Sequence, residues 1–471
     1  MTIKTAVLFF TLLLFAANEI FSQKNFAIQN VTVIPMNTET SLADQTVVIS
    51  NGKIEAIGKS EKIKTLVGYK VIDGRGKYLI PGLFDMHAHF FQEQYENNRS
   101  TTKEELGMML ANGITSARIM AGHPDYLIAK EKVKSGEWDG PELTVASPQL
   151  VGAWPWPPGF RNYEIVNTPE KAADAVKKFK DEGYDAIKLT FMVSRESYDA
   201  IVTTAKEVGI KVVGHVGPKV KLPAALAAGE QIEHMDEFID MLLPDTTYNH
   251  GQSVSDMNIW RKPAWATVPA LDESKLSSLI QQVKAAGIYV TPTNYFFIST
   301  FGRIPSEQEI KSKKDYEYIP AELIEERWKN REHFIKIEIP KESMDRYIYL
   351  RKKMVNELSK AGVPLMAGSD SPEFFLVTGF SLHDELAAFV EAGLSNYDAL
   401  KTTTITPATF LGLTNKGTIE KGKDADLILL DKDPLTDISH TTSINSVVKS
   451  GKHFDRKSLD TLLSSATAAF H

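Results

Sequence analysis

The sequence predicts an α/β protein: a (β/α)8 TIM-type barrel with a small β-sandwich domain built from both ends of the chain. Three observations carry that expectation. A helix-like stretch that ends in glycine and runs at once into a short strand recurs along the middle of the chain. It is seen at Asn112-Gly113-Ile114, Glu182-Gly183-Tyr184, Val208-Gly209-Ile210, Ala228-Gly229-Glu230, Ala286-Gly287-Ile288 and Ala361-Gly362-Val363. Glycine just past a helix end takes the left-handed conformation that closes the helix, so each instance marks a helix-to-strand step. Apolar runs at 79–89 and 143–147 bring the strands to eight. Finally, blocks of alternating apolar and polar residues flank the series on both sides. A doubly wound open sheet is the alternative. No Gly-x-Gly-x-x-Gly follows the first strand to support a dinucleotide site in it.

Residues 1–22 read as a signal peptide. Lys4 supplies a positive start, Ala6 to Ala17 form an apolar core broken by Thr11, and Ser22 offers a small residue before Gln23. The core is short for a transmembrane helix, an uncleaved N-terminal anchor being the other reading. Gln23 rather than cysteine follows the expected cut, which argues against lipidation. The expectation is an exported protein, periplasmic or extracellular, with no membrane contact after cleavage.

Residues 23–80 alternate in character between turn signals, with Asn51-Gly52 as a strong hairpin turn. A matching block at 412–456 holds Asp426-Leu427-Ile428-Leu429-Leu430 and Ser446-Val447-Val448-Lys449. These two blocks are expected to pair into the β-sandwich. Residues 81–411 form the barrel, and 457–471 a C-terminal tail. Two insertions follow strand ends, at 153–160 (Ala-Trp-Pro-Trp-Pro-Pro-Gly-Phe) and at 303–350. Barrel enzymes place their sites on that face, so both read as lids or substrate walls, or equally as surface decoration.

Composition narrows the function. Of 471 residues, 43% are hydrophobic and 24% charged, ordinary for a soluble globular enzyme. A net charge of −7 argues against nucleic acid or an anionic membrane as partner, and leaves a small-molecule substrate. A homo-oligomer is compatible with the sequence. There is no cysteine, which excludes disulfides, zinc–cysteine sites and thiol catalysis.

The chemistry collects at strand ends. His87 and His89 lie two residues apart in Asp85-Met86-His87-Ala88-His89, so both imidazoles share one face of a strand. Neutral imidazole is the commonest protein ligand for zinc. Lys188 sits between apolar neighbours on the fourth strand. His215 ends the fifth strand, His234 the sixth and Asp370 the eighth. A buried lysine without a partner is costly. One chemical resolution is that the neutral amine takes up carbon dioxide as a carbamate, an anionic ligand able to bridge two metals.

The motifs Pro81-Gly82-Leu83-Phe84-Asp85-Met86-His87-Ala88-His89, Ile187-Lys188-Leu189, Gly214-His215-Val216, Ile232-Glu233-His234 and Gly368-Ser369-Asp370 resemble the amidohydrolase superfamily over essentially the whole mature chain. The resemblance is to the binuclear subtype, in its imidazolonepropionase-like and prolidase-like branch. It implies that His87, His89 and Asp370 hold one divalent ion, expected to be zinc, and His215 and His234 a second. Carboxylated Lys188 and a hydroxide would bridge them, with Asp370 as the catalytic proton carrier. It further implies hydrolysis of a C–N bond, in a dipeptide or N-acyl amino acid. Lactone or phosphoester cleavage, a mononuclear imidazolonase or deaminase-like site, and a non-catalytic metal-binding protein are the alternatives. Prolidase-like relatives often carry a tyrosine shortly after the fifth-strand histidine, where this chain has Val216-Gly217-Pro218. Candidate substrate contacts are His123, Arg118, Tyr295, Trp154 and Trp156, with Arg118 as a carboxylate receptor.

Overall fold

The computed structural model describes residues 25–64, 67–91, 101–152, 162–190, 192–244, 262–302 and 305–471. The signal-peptide expectation and the 153–160 insertion, with Trp154 and Trp156, lie outside these residues.

The N-terminal block forms β1 (Phe26–Val33), β2 (Leu42–Ser50), β3 (Lys53–Lys59), β4 (Lys70–Asp73) and β5 (Tyr78–Pro81). Asn51 and Gly52 both take positive φ between β2 and β3, as the expected tight hairpin turn requires. The barrel region supplies β6 (Leu83–Ala88), β7 (Ile114–Ile119), β8 (Glu142–Val145), β9 (Gln149–Val151), β10 (Tyr163–Ile165), β11 (Ala186–Leu189), β12 (Lys211–Gly214), β13 (Gln231–Glu233) and β14 (Val290–Thr291). The C-terminal block supplies β15 (Leu427–Leu430), β16 (Ile444–Lys449) and β17 (Lys452–Asp455).

The two terminal blocks do join. Their strands make one hydrogen-bonded sheet in the order β17-β16-β15-β5-β1-β2-β3, with β4 beside β1. The junction is antiparallel, Ile428 opposite Ile80. The sheet is mixed rather than purely antiparallel, because β1 pairs in parallel with both β4 and β5. Its own small core includes Phe26, Val31, Val47, Leu79, Leu427 and Leu429.

In the barrel region every pairing is parallel, within β6-β7-β8 and within β10-β9-β11-β12-β13-β14. Single parallel bridges link Ala146 to Ala186, Val290 to Leu365 and Ala88 to Ser371. Residues 365–370, expected as the eighth strand, form no regular strand. They still bond to both neighbours: Met366 N–H donates to Val290 O (2.9 Å), Met86 N–H to Ala367 O (2.9 Å) and Asp370 N–H to His87 O (2.7 Å). The irregularity has a local cause. Asp370 sits at φ +56°, outside the strand region. At Gly368 an added Cβ would lie 2.5 Å from His87 Cβ, so glycine permits the close approach of the two chains.

Flanking helices bury one face each. In Pro169–Asp181 that face is Ala172, Val176 and Phe179, and Thr168 caps the N-terminus by accepting from Lys171 N–H. The 303–350 insertion contains the helices Glu307–Ser312 and Ala321–Ile335 and the start of Lys341–Ala361. The expected tail is instead the helix Arg456–Phe470. It packs against the helix Thr102–Ala111, with Leu462 beside Gly107, and Phe470 meets Phe91 edge-on at 5.3 Å.

Candidate metal centre

β6 is buried along its whole length, and its alternation brings His87 and His89 to one side. His87 Nε2 lies 3.4 Å and His89 Nε2 3.3 Å from Asp370 Oδ1. Ligand atoms of the three residues lie within 4.8 Å of one another, a spacing that can hold a metal ion. Two neighbouring imidazoles stack beside them. His234 is 4.6 Å from His87 and 4.5 Å from His215, ring to ring. His234 takes φ +60°, and Thr293, at φ +43°, faces it from beyond β14. Non-glycine residues in this region are costly, and such strain collects at functional sites.

Each of three rings is oriented through Nδ1. His87 Nδ1 bonds Glu233 Oε2 at 2.6 Å, His215 Nδ1 bonds Asp236 Oδ2 at 2.7 Å, and His234 Nδ1 bonds Thr293 Oγ1 at 2.7 Å. The Thr293 hydroxyl itself donates to Pro292 O (2.9 Å), so it accepts from His234. A donating Nδ1–H leaves the lone pair on Nε2, the tautomer a metal ligand needs. Burial holds the His87 and His234 pKa values well below the ordinary imidazole range, which keeps both rings neutral.

Lys188 completes the set. It is 1% exposed on β11, and its Nζ has no hydrogen-bond partner among the described residues. Burial lowers its pKa, opposed by the charges of Glu233 and Asp370. Three oriented imidazoles, a fourth on the same strand as the first, a carboxylate and an orphaned amine fit divalent metal better than they fit one another.

A layer of charge lies directly beneath. Gln231 and Glu233 are two apart on β13 and face the same side. Arg118 on β7 donates to Met86 O (2.7 Å), to Gln231 Oε1 and to Glu233 Oε1 (2.6 Å). At 1% exposure Arg118 is sealed under the centre. The expected role as receptor of a substrate carboxylate does not fit this placement, because its donors are already used in the barrel interior. Asp85 accepts from the N–H of His87 (3.2 Å) and Ser369 (3.0 Å) and from Ser369 Oγ (2.6 Å), tying the histidine strand to the Asp370 turn. Burial raises its pKa to about 6.

The other expected contacts stand further out. His123 caps the helix Pro124–Ser135, accepting from Asp125 N–H. Tyr295 accepts at its hydroxyl from Lys313 Nζ (2.9 Å). His383 bonds Thr441 Oγ1 and Asn112 O and is structural. Sequence reasoning assigned no role to several residues that brace the centre. Arg351, from Lys341–Ala361, donates to His234 O (3.0 Å) and Pro292 O (2.8 Å). Glu385 accepts from the N–H of Asn294 (2.8 Å) and Tyr295 (2.6 Å), just past Thr293. Only Glu233 carried a usable signal, being adjacent to His234.

Comparison with known proteins agrees with this geometry. Residues 78–453 match the amidohydrolase family. Imidazolonepropionase from Thermoplasma volcanium is 39% identical over 92 residues, 19% of this chain and 22% of that enzyme. The chain thus spans less than a quarter of the length of that curated relative. Among solved structures, a bottromycin amidohydrolase superposes with a TM-score of 0.73 at 22% identity, covering 95% of this chain and 90% of the other. A Xaa-Pro dipeptidase with bound methionine superposes with a TM-score of 0.64 at 20% identity, covering 92% and 100%. These two likenesses establish the fold, a TIM-type barrel with an extra domain. The family match over residues 78–453 establishes the rest: this chain belongs to the amidohydrolase family.

Proposed function

We propose that this protein is an exported metal-dependent amidohydrolase that cleaves the C–N bond of a dipeptide or N-acyl amino acid. One observation carries the reading: Lys188 Nζ is buried without a partner beside the His87–His89–Asp370 cluster. In this reading His87, His89 and Asp370 hold one divalent ion, and His215 and His234 the other. Carboxylation of Lys188 would add an anionic oxygen ligand to this set. Zinc suits an all-nitrogen and oxygen donor set of this kind. Two such ions supply Lewis acidity toward the substrate carbonyl and a water of lowered pKa.

The chain's own residues do the rest. Asp370 accepts the proton of the attacking water and returns it to the leaving nitrogen. Glu233, held by Arg118, keeps His87 Nε2 turned toward the ion. The likeness to a Xaa-Pro dipeptidase supports an amide substrate.

The test has two arms. Elemental analysis of purified protein should find about two equivalents of divalent metal. A screen of dipeptides, N-acyl amino acids, lactones and phosphotriesters should find turnover among the amides. Less than about one equivalent, not restored by added zinc, would sink the metal reading. Turnover confined to lactones or phosphotriesters would replace the substrate and leave the centre intact.

A further inference from the structure

A narrow apolar chamber lies behind the metal centre, and nothing above gives it a use. Ile310 and Phe334 from the insertion helices form one wall, and Phe374, Phe375 and Leu376 from the turn after Asp370 form the other. Phe374 also lines the cavity onto which His89 opens, together with Arg327 and Glu373. Phe374 is thus shared by the chamber and by the cavity that His89 lines. On the opposite side stands Tyr295, two residues beyond the threonine that orients His234.

The chamber is apolar along its length and cationic at one end. Lys313 donates to Tyr295 Oη (2.9 Å) and lies 3.6 Å from Asp384 Oδ2. Arg331 donates one N–H to Pro305 O (2.5 Å), while its Nε is buried with no hydrogen-bond partner among the described residues. A buried guanidinium N–H without an acceptor is costly unless something brings one. An apolar slot ending in an unsatisfied guanidinium matches an apolar group attached to a carboxylate.

Resting on the amide-hydrolase reading above, we propose that this chamber is the specificity subsite for the carboxylate-bearing half of the substrate. Preferred substrates then release an amino acid with an aromatic or long aliphatic side chain, and Arg331 receives its carboxylate.

Calorimetric titration of the metal-loaded full-length protein with L-alanine, L-norvaline, L-norleucine and L-phenylalanine tests this without requiring turnover. Affinity should rise about threefold to fourfold per methylene from alanine to norleucine. Phenylalanine should bind at least as tightly as norleucine. Ser299→Phe fills the chamber and should abolish the gain along the series. Arg331→Met should weaken norleucine about tenfold but leave norleucinol unaffected. If Ser299→Phe fails to fold, Leu376→Ala enlarges the chamber instead and should flatten the aliphatic series. A flat series in the wild type, or a full gain retained in the filled or enlarged variant, overturns the proposal. An intact acid preference in Arg331→Met overturns the assignment of the charged end. Side-chain-dependent binding without any amide turnover would sink the hydrolytic reading and leave the subsite standing. Amide turnover with a flat series would do the reverse.

Discussion

Buried lysines occur in this molecule under two opposite conditions. Lys416 and Lys449 share Asp426 at the edge of the terminal sheet: Lys449 Nζ lies 2.9 Å from Asp426 Oδ2, Lys416 bonds the same oxygen, and Ser450 N–H donates to Oδ1 (2.7 Å). Lys416 also reaches Glu142 of β8 at 3.1 Å, which ties the sheet to the barrel. Every charge there has a partner. Lys188 is as deeply buried, and its Nζ has no hydrogen-bond partner among the described residues. The difference separates two uses of a buried ionisable group. Where a lysine holds the fold together, carboxylates are brought to it. Around Lys188, for which a chemical role is proposed, the nearby carboxylates are turned to other partners, as Glu233 is turned to Arg118 and His87.

Replacing Lys188 tests this contrast most severely. Lys188→Met should lower turnover by about 10³-fold or more, with the melting temperature of the metal-free protein unchanged or raised, since an unpaired buried amine is removed. Activity within about tenfold of wild type would take Lys188 out of the site. A collapse in melting temperature would make it a structural lysine like Lys416.

Asp426→Ala should do the opposite. It strips Lys449 of its carboxylate and leaves Lys416 only Glu142 and Asp424, and should cost about 3–5 kcal/mol of stability, with metal content unaltered. The same group predicts an acid limit. Although burial opposes ionisation, Lys449 and Lys416 hold the Asp426 pKa down to about 2, below its ordinary 3.8. A depressed carboxylate contributes stability above its unfolded pKa. That contribution is lost as pH falls from about 3.8 through about 2. A melting profile equally acid-sensitive in wild type and variant would break the comparison.

Glu230 is an intermediate case and carries the smallest effect. It is buried with one hydroxyl partner, Tyr198 Oη at 2.8 Å. Burial raises its pKa from 4.5 to about 8. The folded state then binds the proton more tightly than the unfolded chain. Wild type is therefore destabilised as pH climbs from about 4.5 to about 8. Glu230→Gln keeps an acceptor for Tyr198 and lacks that loss. Its melting-temperature advantage over wild type should grow by roughly 3–5 °C between mildly acidic and mildly alkaline buffer. A pH-independent difference would show that Glu230 is already satisfied when ionised.

Most of the centre was legible because its residues sit at strand ends, which glycine-closed helices mark for Lys188, His215, His234 and Asp370 and an apolar run marks for His87 and His89. His87, His89, Lys188, His215, His234 and Asp370 all come from such positions and meet in space. Arg118 came from the same kind of position and was misread. Whether a strand residue faces the cavity or the layer below depends on register with Gln231 and Glu233, and those lie more than a hundred residues away. Arg351 and Glu385 were invisible for the same reason, since each acts on backbone far off in the chain. The irregular eighth segment follows from Asp370 needing a left-handed backbone, which an apolar run cannot signal. The two terminal blocks were expected to pair into a β-sandwich; their strands share one sheet, whose parallel β1–β4 and β1–β5 pairs are set by connections that alternation does not report.

The junction between β5 and β15 has a consequence for biosynthesis. β5 ends at Pro81 and its partner begins at Leu427, so a ribosome must deliver the entire barrel before the pair can form. Until then β5 stands as an unpaired edge able to recruit another nascent chain. Early termination anywhere before Leu427 leaves that edge permanently open. The edge that closes the terminal sheet is thus the last one the chain can supply.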